Sequence, residues 1–265
     1  SLALSTLEQA QKRFPASSEI LCLLSQAYGS ANLPEKAVQA AERAVQINGR
    51  HAGAWKTLGR SKAALGDLAG ALQAYQGWSA VEPADPEGWM ELARLAQAAQ
   101  SSDVTRKALA EALWRGRRAP QVLAQSADLL ESMASPHSAL RMLRIAGALN
   151  PNDRLTLIRL AELSGQLGHL GTAHQTWSRV AELEPDNPTA YRKSADALWG
   201  LGQPRQAIQQ WQRALELDPQ DPEVRRALGR AYMQIGEVQN ALNHYSAAIE
   251  LSPRDPSLPL EAGVA

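Results

Sequence analysis

PTAYRKSADALWGLGQPRQAIQQWQRALELDPQD, residues 188–221, reads as two short helices joined by a turn. Tyr191, Ser194, Ala195 and Leu198 recur at helical spacing, and Leu201-Gly202-Gln203 breaks the run. Ala207, Ile208, Trp211 and Ala214 then begin a second run, which stops at Pro219. Shifting by 34 residues lands on 222–255, where Leu228, Gly229, Tyr232, Gly236, Ala241, Tyr245, Ala248 and Pro253 fill the same slots. Worked outward, the period gives seven copies without an insertion: 18–51, 52–85, 86–119, 120–153, 154–187, 188–221 and 222–255. Residues 1–17 fit the second helix of a truncated repeat and its link, with Ala3, Leu4, Leu7, Ala10 and Pro15 on second-helix slots. They are not read as a targeting segment. Residues 256–265 form a short proline-rich tail.

Aligned by position within the repeat, the residues show what packing demands. Position 8 is Ser25, Gly59, Ala93, Ala127, Ala161, Ala195 and Gly229, all small, as expected where two helices approach most closely. Position 20 is Ala in six copies and Thr105 in the third. Position 24 carries bulk in six: Tyr75, Leu109, Leu143, Trp177, Trp211 and Tyr245, with Ala41 the exception. Position 32 is Pro in five, and Gly49 replaces it in the first copy, where a left-handed glycine is expected to end the helix. The third copy departs most, with Gln100-Ser101 at its inner turn and the basic stretch Trp114-Arg115-Gly116-Arg117-Arg118 at its end. A distorted second helix is expected there, read first as a drifted repeat that still packs through Leu109 and Ala112, the alternative being a contact surface or a bend in the superhelix.

A period of 34 with this punctuation resembles the tetratricopeptide repeat, over residues 1–255. The resemblance implies an all-α fold, a right-handed superhelical α-solenoid in which each repeat buries its core against its neighbours. It also implies a concave groove, lined by the first helices, that holds an extended peptide or a partner helix. Two subfamilies can be tested by residue. The class that clamps the carboxyl-terminal tails of chaperones matches at Lys56, but Arg60, Glu91 and Gln121 depart from its pattern. The asparagine ladder of the O-linked N-acetylglucosamine transferase repeats has no counterpart among Leu23, Thr57, Glu91, Gln125, Arg159, Lys193 and Ala227.

Composition narrows the function classes. The 265 residues carry 27 basic and 27 acidic side chains, so no global field draws the chain to nucleic acid or an anionic membrane. No apolar run is long enough to span a bilayer. A single cysteine, Cys22, excludes an internal disulfide framework and leaves the compartment open, cytoplasmic or periplasmic. Phosphate-loop, HExxH, CxxC and GxSxG motifs are missing. His169 and His174 lie five apart, and His51, His137 and His244 sit in separate copies, so capping or solvated roles are expected rather than metal ligation. No enzyme activity, cofactor or metal site is expected.

The informative residues are those on each first helix that packing should leave free: positions 2, 5, 9, 12 and 13, one face of the helix. Read down the array, the expected groove is zoned. Lys56, Arg60 and Arg94 form a basic patch; Asp128, Glu131 and Glu162 an acidic middle; Arg192, Arg226 and Arg230 a second basic patch beside Trp199 and Met233. Lys56 with Arg60, and Arg226 with Arg230, are like-charged at i,i+4, costing each helix about 0.2–0.5 kcal/mol unless something compensates. Two compensations are open: cross-repeat partners (Glu87 or Glu91 for the first pair, Asp196 or Glu223 for the second), or an acidic peptide segment or terminal carboxylate from a partner.

These readings converge on a non-catalytic scaffold for protein–protein interaction, binding a peptide segment or partner helix in its groove, acidic if the second compensation holds. The alanine- and glutamine-rich, lysine-poor composition looks bacterial, where such arrays often serve secretion, envelope or assembly machines. The alternative is the substrate-targeting or regulatory arm of a larger enzyme such as a transferase, since the chain reads as a piece of a longer protein. Ala241, Leu242 and Ile249 are expected to be partly uncovered, an end open to self-association. Trp55, Trp89, Trp177 and Trp211 are assigned to the core by position. Trp211→Ala should therefore cost about 3–5 kcal/mol in urea unfolding; a loss below about 1 kcal/mol, the size of a surface effect, would remove Trp211 from the core.

Overall fold

The computed structural model describes residues 2–252 and Gly263, and the described residues are all-helical, with fifteen α-helices and no strand. They fall into two compact units that divide after Ala134. In the first, α1 (Leu2–Arg13) packs on a hairpin of α2 (Ser18–Ser30) and α3 (Pro34–Ile47). The hairpins α4 (Ala52–Ala64) with α5 (Leu68–Val81) and α6 (Pro86–Ala98) with α7 (Ser102–Arg115) follow, and α8 (Pro120–Ser132) packs on α6 and α7. In the second unit, α9 (Pro136–Leu149) packs on α10 (Arg154–Gln166), which pairs with α11 (Leu170–Leu183). The pairs α12 (Pro188–Gly200) with α13 (Pro204–Leu217) and α14 (Pro222–Gln234) with α15 (Val238–Leu251) complete it. From α2 onward, helices of 13 and 14 residues alternate. The expected tail, 256–265, lies outside the described residues apart from Gly263.

First helices start on a capped link. Ser17, His51, Asp85, Asn187 and Asp221 each accept a backbone N–H of the first turn, and Pro86, Pro120, Pro188 and Pro222 follow as the first helical residue. Proline suits that place because its missing N–H would have no partner there. The inner turns are equally regular. Asn32, Gly66, Gln100, Ala134, Gly168, Gly202 and Gly236 all have positive φ, and they are spaced by 34 residues. Four copies meet this left-handed demand with glycine; Gln100 at φ 57° and Ala134 at φ 53° meet it at a steric cost.

Inside each hairpin the closest approach is at positions 8 and 24. The bulky residues Tyr75, Leu109, Trp177, Trp211 and Tyr245 are buried, and the small residues opposite them in their repeats (Gly59, Ala93, Ala161, Ala195, Gly229) are buried too. Where position 24 is Tyr, position 8 is Gly. A Cβ on Gly59 would lie 2.5 Å from Tyr75 Cε1, and one on Gly229 would lie 2.8 Å from Tyr245 Cε1. Ser25, opposite the small Ala41, uses the space to donate its hydroxyl to the Ala37 carbonyl at 2.8 Å.

Several expectations need correction. The second helix of the third repeat, α7, is regular, because Gln100 adopts the left-handed turn and the buried Thr105 donates its hydroxyl to the Ser101 carbonyl at 3.0 Å. Gly49 is not left-handed: α3 ends on extended Asn48, whose Oδ1 accepts the Arg50 N–H at 3.0 Å, an Asx turn in place of a glycine cap. Trp55 and Trp89 are half-buried rather than core, and each donates its indole N–H to the link carbonyl ahead of its helix, Gly49 at 2.8 Å and Pro83 at 3.0 Å. Ala241 is fully buried, while Leu242 and Ile249 are half-buried.

Two tests follow from this packing. Gly59→Ala should destabilise by about 1–3 kcal/mol, and Tyr75→Leu in the same chain should recover part of that loss, since Ala93 and Leu109 hold those two positions in the next repeat; strict additivity in urea unfolding would refute the coupling. Gln100→Gly should raise stability by roughly 0.5–1 kcal/mol, the left-handed penalty less the added entropy of the unfolded chain, and a lower urea midpoint would contradict it.

Candidate functional site: the first-helix face

In the first unit the row at position 9, Gln26, Arg60, Arg94 and Asp128, is exposed, as is Glu131. Position 5 is only partly free. Cys22 and Met90 are buried between neighbouring first helices, which corrects the stripe expected from spacing alone. Burial pushes the Cys22 thiol pKa up, so the thiolate is disfavoured there. The basic patch is internally paired. Lys56 Nζ lies 2.7 Å from both Glu87 oxygens and 4.7 Å from the centre of the Trp78 ring. Arg60 reaches Glu87 at 3.5 Å, and Arg94 reaches Glu91 at 3.3 Å. Glu87, at position 2 of the following repeat, thus serves two cations that repel each other along α4. Beside them a pocket of about 430 Å³ opens over Gly29, rimmed by Gln26, Ser30, Asn32 and Arg60.

The second unit repeats the arrangement with different chemistry. Glu162, Asp196 and Arg230 form the exposed row on α10, α12 and α14. Arg192 pairs with Asp221, the cap of α14, at 3.1 Å. A pocket of about 440 Å³ lies between α12 and α14, lined by Arg192, Lys193, Asp196, Trp199, Arg226 and Arg230, with Glu223 at its edge and Trp211 beneath. The rings of Trp199 and Trp211 are 5.9 Å apart. Asp196 is exposed by surface area, yet within this concavity its carboxylate accepts the Trp211 indole N–H at 3.1 Å. Desolvation pushes its pKa above the ordinary carboxylate value, against that hydrogen bond and the pull of Lys193 and Arg192. A second pocket, about 420 Å³, follows between α10 and α12, with Glu162, Gln166, Lys193 and Asp196 at its rim and Trp177 beneath.

Spacing found Arg192, Trp199, Arg226 and Arg230, and the structure brings these four to one pocket. Met233 instead packs, half-buried, against the core of α12–α15. Lys193, at position 6, lies outside the stripe that spacing defines, and Asp196 and Glu223, expected only as cross-repeat partners, line the same pocket. Among the histidines, His51 caps α4 through Nδ1, and His174 Nδ1 lies 2.9 Å from Ser194 Oγ, with burial holding its pKa below the usual histidine value. His137 and His169 meet edge to face at 6.4 Å. Among the described residues no group of three or more His, Cys, Asp or Glu could hold a metal ion, and no helix is long and apolar enough to cross a membrane.

Three family models described as tetratricopeptide repeat match residues 18–51, 52–95 and 192–256, together more than half of the chain. No curated protein matches. Among solved structures, the C-terminal part of a TPR repeat-containing protein from Cytophaga hutchinsonii is 11% identical, with a TM-score of 0.67 and coverage of 89% of this chain and 97% of that one. A tetratricopeptide repeat protein from Parabacteroides merdae is 13% identical, covering 93% and 98%, with a TM-score of 0.53. A MamA structure from MSR-1 is 22% identical, covering 64% and 97%, with a TM-score of 0.52. These likenesses concern the fold. The 34-residue period, the recurring hairpins and the three model matches place the chain in the tetratricopeptide repeat family, whose stacked hairpins are protein-interaction scaffolds.

Proposed function

We propose that the pocket between α12 and α14 receives an acidic side chain or a terminal carboxylate of a partner segment lying along the exposed first-helix row of the second unit. One observation carries this reading: four cations, Arg192, Lys193, Arg226 and Arg230, and two carboxylates, Asp196 and Glu223, line one pocket together with Trp199 and Trp211, in a chain whose charges balance overall. Guanidinium groups bind carboxylates through paired hydrogen bonds, and Trp199 adds apolar area for the adjoining residue. The basic patch of the first unit is the weaker candidate, because the neighbouring pocket is lined by a single cation, Arg60. Such a scaffold suits a bacterial secretion, envelope or assembly machine, the setting its composition suggests.

A fluorescein-labelled peptide rich in Glu, with a free carboxyl terminus, tests this by anisotropy. Arg226→Glu with Arg230→Glu should weaken binding at least tenfold, about 1.4 kcal/mol, with circular dichroism unchanged. Lys56→Ala with Arg60→Ala should leave it within twofold. Equal binding by the parent and the Arg226/Arg230 double variant would refute the assignment.

A further inference from the structure

The third repeat carries a second surface, on the side of the hairpin away from the first helices. On α7, Asp103, Arg106, Lys107, Ala110 and Trp114 lie within about 100° of one another around the helix, and all five are exposed. Trp114 is 67% exposed, the highest value for any tryptophan among the described residues. At the same position the fifth and sixth repeats have Glu182 and Glu216, each ion-paired one turn back to Arg179 and Arg213. A solvated ion pair is thus replaced by a bare indole.

That indole is held in place. Arg117 donates to the Trp114 carbonyl at 2.7 Å and sets its guanidinium 4.8 Å from the centre of the ring, covering one side of it. The link bearing Arg117 and Arg118 is itself clamped: Gly116 is buried so tightly that a Cβ there would lie 2.4 Å from Val122 Cγ1, and Ala119 N–H donates to the Gly116 carbonyl at 2.8 Å. One turn earlier, Ala110 leaves room for an incoming side chain against the indole. Arg106 is paired with Asp103, but Lys107 and Arg118 make no ion pair among the described residues, so the surface around Trp114 is net positive.

We infer that this face of α7 and the 116–119 link is a docking surface for an acidic protein segment that places an apolar side chain on Trp114 while its carboxylates meet Lys107, Arg117 and Arg118. Pre-ordered tryptophan and arginine are the side chains on which binding energy concentrates. The even overall charge favours a protein segment over nucleic acid, whose capture relies on a broad positive field. The inference is independent of the pocket between α12 and α14.

An amide-blocked peptide, acetyl-Glu-Glu-Phe-Glu-Glu-Leu-Glu-Lys(fluorescein)-NH2, separates the two because it lacks a terminal carboxylate. Anisotropy should show binding that weakens as salt is raised from 50 to 300 mM. Trp114→Ala should weaken it at least tenfold, and Lys107→Glu with Arg118→Glu should abolish it, both variants keeping the parent's circular dichroism and melting temperature because the altered side chains are exposed. Arg226→Glu with Arg230→Glu should leave it within twofold. Absence of binding, or binding equal in the parent and the first two variants, would overturn the proposal. Tighter binding of phosphatidylserine vesicles or polyuridylate through the same residues would overturn the choice of an acidic protein segment.

Discussion

Everything in this chain depends on two helices approaching closely enough that one position tolerates only a small residue and the position facing it must be filled. Gly59 under Tyr75 and Gly229 under Tyr245 show the constraint at its limit, since a single added carbon would sit inside the ring's contact distance. Alanine takes the place where leucine or tryptophan packs opposite. Because interiors are close-packed, the constraint is enforced copy by copy. It sets the hairpin geometry, and through it which faces of the first helices are buried against neighbours and which remain for other molecules.

Packing buries Cys22 and Met90 at position 5 but leaves Arg192 and Arg226, at the same position, on a pocket wall, while position 9 is an exposed row within each unit. The charges on that row meet different fates. On α4 the repulsion between Lys56 and Arg60 is answered from within by Glu87. On α12 and α14 the cations converge on a concavity that also holds a carboxylate with a raised pKa. Like-charged pairs at the same spacing thus stand in different surroundings, beside a shared Glu87 on α4 and at the wall of a pocket on α14.

The third repeat shows how substitutions that look disruptive can be absorbed locally. A threonine where alanine is usual buries its hydroxyl by bonding the carbonyl four residues back, and glutamine accepts a left-handed turn that glycine occupies elsewhere. The helix stays regular, so the departures act at the surface instead. There a clamped link and a stacked arginine fix an exposed indole in a basic surround.

By itself the sequence determined the all-helical repeat, its 34-residue register, the small-against-large pairing at the closest approach in six of seven copies, and the burial of Trp177 and Trp211, because these follow from helical periodicity and volume. Spacing also put Arg192, Trp199, Arg226 and Arg230 on first-helix faces, and the fold gathers them at one pocket. Only the tertiary structure decided that Cys22 and Met90 are buried, that Met233 packs half-buried against the core, that Glu87 pairs with both cations of α4, and that Lys193 and Asp196 line the pocket. These turn on the rotation of one helix against the next and on where long side chains reach across repeats, and neither quantity is carried by the spacing of residues along a single helix.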